Sequence, residues 1–180
     1  MDKKWKTIKS KVVSENRWFK LIKDDIEFPN RKKGEYNFVK TADTVCIIPL
    51  LENGKTILVR QYRYPLKEFL WQIPMGRIEK GKTIEEAAKD ELEEETGYKA
   101  GKLKKIISFY PSVGLINELS VILVAQNLEF KGDKKPDETE FINIKKFEIK
   151  EVLGLIDKGE IKDSFTIIAF LALKDRISKK

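Results

Sequence analysis

The 180-residue chain contains no histidine and only one cysteine. The first absence excludes, within one chain, Ser-His-Asp and Cys-His nucleophilic catalysis, histidine general bases and histidine-ligated zinc. The second excludes an intrachain disulfide. Cys46 stands in the apolar run Val45-Cys46-Ile47-Ile48, where a buried, inert thiol is the expected state. No apolar run approaches the ~20 residues that a membrane-spanning helix requires. The stretch after Met1 has no apolar segment of the signal-peptide kind, so a cytoplasmic protein without membrane attachment is expected. Repeats and low-complexity tracts are lacking as well. Acid–base and metal chemistry must therefore rest mainly on carboxylates.

The residues that are present describe a soluble globular chain, 41% hydrophobic and 36% charged. It is long enough for one good core with a small appendage. The formal charge of +7 comes from lysines scattered along the chain rather than gathered into an arm or stripe. That favours solvation and the steering of an anionic small molecule over a nucleic-acid surface.

Residues 1–40 read as a small antiparallel β unit. Trp5–Val13 alternates loosely and Trp18–Phe28 more clearly; a turn follows at Pro29-Asn30, and an extended piece starts at Gly34. Such a unit buries little alone and is expected to pack on the main domain or on a second subunit. The main domain, 41–180, opens with two apolar strands, Thr44–Leu51 and Lys55–Tyr62, which Asn53-Gly54 is expected to join as a hairpin. A short extended piece (Trp71–Pro74), a helix (84–96), strands at Leu103–Tyr110 and Leu119–Phe130, a polar loop (131–140), a strand at Phe141–Phe147, and helices near 148–158 and 163–178 complete a mixed α/β layer fold.

The helix carries the chemistry. Thr83 with Glu86 forms a capping box, and Gly97 suits the position after the last turn. With Ile84 set at 0°, Ala88 falls near about 40° and Leu92 near about 80°, which defines the core-facing arc. Glu91 falls near about 340° and Glu95 near about 20°, inside that arc, and Glu94 near about 280° on its flank. Seven of the eleven residues from Glu85 to Glu95 are acidic. Acids in the second half of a helix oppose its dipole, and an unpaired buried carboxylate costs several kcal/mol. A hard cation, Mg²⁺ first and Mn²⁺ second, would remove both penalties. The alternative is a solvated acidic helix, or glutamates paired with lysines from elsewhere.

Residues 76–98, GRIEKGKTIEEAAKDELEEETGY, resemble the Nudix box G-x5-E-x7-R-E-U-x-E-E-x-G-U, where U is aliphatic or aromatic. Gly76, Glu91, Leu92, Glu94, Glu95, Gly97 and Tyr98 match. Lys82 stands where the family has Glu, and Asp90 where it has Arg. Either the two form an ion pair of reversed polarity, or both are solvated and the support is absent. Outside the box the chain resembles the ADP-ribose pyrophosphatase branch. Arg60-Gln61-Tyr62-Arg63 is similar to its VRQYR segment and Trp71–Gly76 to its WELPAG. Ser112–Glu118 is similar to its SPGFSDE, with Val113 and Ile116 departing, and Asp137–Ile142 to its acidic loop.

The resemblance implies a Nudix-like fold, a mixed-sheet sandwich between helices with the N-terminal β unit serving homodimerisation. It implies Mg²⁺-dependent cleavage of ADP-ribose to AMP and ribose 5-phosphate. Glu91, Glu94 and Glu95 are implied as metal ligands, with the Met75 carbonyl as a further donor. Glu138 is the implied general base, Glu140 its alternative, and Glu118 an assisting residue near the metals and substrate. Arg60 and Arg63 suit a diphosphate, since a planar guanidinium matches phosphate oxygens; a pair of solvated strand-end arginines is the alternative, more so for Arg60 than for Arg63. Trp71 is a candidate for stacking on the base, with core packing as its alternative. Another nucleotide sugar, a dinucleoside polyphosphate or an oxidised nucleotide would fit the box as well, and a catalytically weakened nucleotide- or RNA-binding module is the reading from a different class.

Overall fold

The computed structural model describes residues 3–132 and 141–177. Chain contacts divide it into two units: Met1–Asp43 with Tyr110–Leu119, and Thr44–Phe109 with Ser120–Lys180.

The first unit is an antiparallel sheet of β1 (Lys6–Glu15), β2 (Phe19–Glu27) and β3 (Lys33–Thr41), in that order. β2 alternates as its sequence requires, and Ile22 and Ile26 are buried from the same face. Every residue of β1 is exposed. The far edge of β3 is capped by the 110–119 segment. Val39 N donates to Leu115 O at 2.8 Å, and Thr41 N donates to the Asn117 side chain at 2.9 Å. Glu118 belongs to this segment.

The second unit holds two sheets. One runs β7 (Met75–Arg77), β4 (Thr44–Pro49), β9 (Ser120–Phe130), β8 (Tyr98–Phe109); the other runs β10 (Asn143–Glu148), β5 (Lys55–Arg63), β6 (Glu68–Gln72). β4 and β9 are parallel, and the other pairings are antiparallel. Three helices complete the unit: α1 (Ile84–Thr96), α2 (Ile149–Asp157) and α3 (Ser164–Ile177). Alternation along β4 sorts its side chains between two cores. Val45 and Ile47 join Ala87, Ala88 and Leu92 of α1. Cys46 and Ile48 join Val152 of α2 and Phe170 of α3. All four strand residues are fully buried, which is why the run reads as continuously apolar rather than alternating. Val45, Ile47 and Ile48 each contribute about 2 kcal/mol by leaving water.

The expected hairpin between β4 and β5 does not form. The Asn53-Gly54 turn exists: Leu51 N donates to Lys55 O at 2.8 Å, and Gly54 adopts φ 78°. Beyond one bridge, Leu50 to Thr56, the strands part into different sheets. Pro49 has no N–H to extend a ladder; β4 and the first half of β5 are buried on both faces, and β4 takes β7 and β9 as its neighbours while β5 takes β6 and β10. β8 also starts at Tyr98, directly after Gly97, five residues before the sequence expectation; its first half is polar and offers little apolar signal. Residues 133–140 of the expected acidic loop, with Glu138 and Glu140, lie outside the described residues, as does the end of the last helix at 178.

Candidate active site

Helix α1 is bounded as its sequence dictates. The Thr83 side chain accepts from Glu86 N at 3.2 Å, and the Glu86 carboxylate accepts from Thr83 N at 2.8 Å. The Thr83 hydroxyl also donates to Glu86 Oε2 at 2.8 Å, and the bonds donated by Thr83, backbone N–H first and hydroxyl second, hold the Glu86 carboxyl below the usual carboxylate range. At the other end Gly97 takes φ 75°, which any side chain would resist, and a Cβ there would meet Gly132 O at 2.1 Å.

Ala87, Ala88 and Leu92 seat this helix on β4, and the same face presents Glu91 and Glu95 to β7. Glu95 is 4% exposed and its Oε2 accepts from Met75 N at 3.3 Å. The Glu91 carboxylate lies directly against Gly76. A Cβ on Gly76 would sit 1.4 Å from Glu91 Oε1 and 2.0 Å from its Cδ. Glycine is therefore required by close approach, not by backbone conformation, since its φ is not positive. Two carboxylates one helical turn apart thus converge on adjacent residues of one strand. Glu94 is exposed on the flank, the position its wheel angle predicts.

The β7 strand is itself fixed from three directions. Met75 and Gly76 pair with Cys46 and Val45 of β4. Pro74 O accepts from Ile47 N at 2.9 Å. Ile73 N donates to the Thr166 hydroxyl of α3 at 3.0 Å, and that hydroxyl donates to Asp163 at 2.6 Å.

Lys82 and Asp90 form the ion pair of reversed polarity. Lys82 Nζ lies 3.1 Å from Asp90 and 2.8 Å from Glu79. Hydrogen bonds to Glu79, and then to Asp90, hold the ammonium above the ordinary lysine range. The loop before α1 is thereby tied to the residue preceding Glu91.

Of the other sequence candidates, Arg60 is exposed beside Trp71, its strand partner, with its guanidinium carbon 5.1 Å from the Phe69 ring centroid. Arg63 is half-buried, and its Nε donates to Gln72 at 2.6 Å. Trp71 is half-buried and packs against Phe147 of the core in a T-shaped pair, ring centroids 5.1 Å apart. Arg60, Arg63 and Trp71 therefore cluster on the β5–β6 pair. The roles of Gln72, Asp163 and Thr166 were not anticipated. A signal existed for the last two, because Asp163 followed three residues later by Thr166 ahead of an apolar run is a helix-start pattern.

Among the described residues, no three carboxylate, cysteine or histidine side chains are gathered closely enough to hold a metal ion as they stand. The donor chemistry nonetheless fits a hard divalent cation. Glu91, Glu94 and Glu95 supply only oxygen, no soft ligand is nearby on α1, and the Gly76 recess leaves room for a carboxylate that any side chain would displace. No helix among the described residues is long and apolar enough to cross a membrane.

Comparison with known proteins shows the family and the fold. Residues 40–167 match the NUDIX domain, and residues 5–39 match the nucleoside diphosphate sugar hydrolase N-terminal domain. The chain is 35% identical to an ADP-ribose pyrophosphatase of Bacillus subtilis, covering 96% of this chain and 95% of that one. It is 35% identical to a methanol dehydrogenase activator of Bacillus methanolicus (97% and 96%) and 31% identical to an ADP-sugar pyrophosphatase of Mus musculus (93% and 87%). The crystal structure of an ADP compounds hydrolase superposes with a TM-score of 0.87 over 98% of this chain and 95% of that one, at 22% identity, and so shares its fold.

Proposed function

This chain belongs to the Nudix family as a pyrophosphohydrolase acting on nucleotide sugars, and from that premise we propose that it hydrolyses ADP-ribose to AMP and ribose 5-phosphate with Mg²⁺. The observation that carries the reading is the convergence of Glu91 and Glu95 on Met75-Gly76, with Glu94 beside them. Relatives named for ADP-ribose and ADP-sugar cleavage support the choice of substrate.

Members of this family generally act with a divalent metal. Here Glu91, Glu94 and Glu95 would hold it, with the Met75 carbonyl as a further donor and Mn²⁺ as the substitute. When bound, the metal neutralises the diphosphate and acidifies a water. The chain's own part is positional. Buried Glu95 is oriented by Met75 N, and Glu91 is oriented by the absence of a side chain at Gly76. Glu138 takes the proton from the attacking water, with Glu140 as the alternative base. The water oxygen bonds to one phosphorus, the bridging P–O bond breaks, and the proton balance closes on the leaving phosphate. Arg60 and Arg63 bind the diphosphate. Trp71, which already contacts Phe147 and has the Arg60 guanidinium over its ring, is the candidate for stacking on the base. We further propose that residues 1–40 form the dimerisation unit of a main domain at 41–180. Trp5, Ile8, Val12 and Val13 of the N-terminal segment are exposed and suit a second copy. A single cysteine, Cys46, which is buried, suits a cytoplasmic setting.

The test is chromatographic detection of AMP from ADP-ribose with Mg²⁺, with Mn²⁺ and with chelator, beside a panel of other nucleotide sugars. AMP release that chelation abolishes, and that is fastest for ADP-ribose, supports the proposal. Faster turnover of another nucleotide sugar moves the substrate, and no product with either ion overturns the reading.

A further inference from the structure

We propose that Thr166, 93 residues from its partner, is a positioning residue for the metal-binding face, with Asp163 as the group that sets its hydroxyl. Ile73 lies where the chain leaves the sheet containing β6, which ends at Gln72, for the sheet containing β7, which starts at Met75. At such a crossing a buried N–H has no ladder partner, and Ile73 is fully buried. The Thr166 side chain fills that role, accepting from Ile73 N at 3.0 Å. A hydroxyl has one proton, and Thr166 gives its own to Asp163 Oδ2 at 2.6 Å. The lone pairs are thereby directed at Ile73. Asp163 is held in turn by Thr166 N at 2.9 Å, the cap at the start of α3.

The consequence runs along a short and stiff path. Pro74 has a fixed φ and its carbonyl is bound by Ile47 N at 2.9 Å. Two residues after Ile73, about 7 Å on at strand spacing, Met75 N meets Glu95, and the next residue is the glycine against Glu91. Anchoring Ile73 therefore sets where the strand presents itself to both carboxylates. This inference rests on the proposed metal role of α1, and it assigns that role's precision to a helix at the other end of the chain.

The experiment uses Thr166→Val, which keeps the shape and removes the hydroxyl, and Thr166→Ser, which restores it. Thr166→Cys, with a weaker sulfur partner, is the milder variant should valine not fold. Amide exchange at Ile73 and Met75 is followed in the metal-free protein. Mn²⁺ binding is followed separately by electron paramagnetic resonance, without substrate. Thr166→Val is expected to speed Ile73 exchange at least about tenfold and to weaken Mn²⁺ binding about tenfold, the low end for groups supporting metal ligands. Thr166→Ser should recover both. KM for ADP-ribose should change less than kcat at limiting metal. Unchanged Ile73 exchange overturns the anchor. Faster exchange with unchanged Mn²⁺ affinity overturns its link to the carboxylates. If the unsubstituted protein bound no Mn²⁺, the proposed function would fall, while the exchange arm would still decide the anchor.

Discussion

Replacing Gly76 by alanine separates the chemistry of the site from the stability of the fold. The new Cβ would lie 1.4 Å from Glu91 Oε1, 2.0 Å from Cδ and 2.6 Å from Cγ. Ordinary carbon contacts begin near 3.5 Å, so the carboxylate must retreat by about 2 Å. Metal–ligand distances tolerate deviations of only about 0.2 Å, and Glu91 would be lost as a ligand. We expect kcat/KM for ADP-ribose to fall about 10²- to 10³-fold, roughly 3–4 kcal/mol of transition-state stabilisation. The fold should hardly respond. The obstacle is a flexible side chain, whose move off its rotamer costs about 1 kcal/mol. Gly76 has no positive φ, so alanine recovers about 0.4–1 kcal/mol by restricting the unfolded chain. The melting temperature should therefore stay within about 3 °C. Steady-state kinetics across a Mg²⁺ series, with thermal melts of the same samples, make the test. Near-normal kcat/KM at low metal would refute the reasoning, and so would a protein that fails to fold.

Glu95→Gln should leave the fold intact but lower activity at least about 100-fold, since it removes a ligand charge while the amide oxygen still accepts from Met75 N; titration of Mg²⁺ should show weaker binding. Lys82→Glu and Asp90→Arg should each weaken metal activation several-fold, and the double mutant should recover part of the loss, the remainder returning when Glu79→Gln removes the repulsion that Glu79 would exert on a new glutamate. Equal damage in the double and single mutants would exclude a functional pair. Thr83→Ala should lower the melting temperature at neutral pH. The folded-state pKa of Glu86 is depressed, so the stability this cap contributes is complete above the unfolded pKa and is lost as pH falls through the folded value. The gap between mutant and parent melts should narrow in acid, and a constant gap at all pH values would show that the ionised carboxylate plays no part.

Local rules determined what the sequence alone could establish. The span of α1, its capping box, its terminal Gly97 and the inward angle of Glu91 and Glu95 depend on residues a few positions apart, and they hold in the structure. The N-terminal strands were legible for the same reason, because alternation and turn residues act at short range. The partners of β4 and β5 were not. A turn at Asn53-Gly54 needs only its own residues, whereas the choice of sheet depends on which distant strands bury both faces of each. Tertiary structure also decided why Gly76 must be glycine, that Arg63 is held by Gln72, and that Thr166 closes the bond at Ile73. Each is a close contact between segments that share no period, so no local pattern encodes it and only packing brings it about.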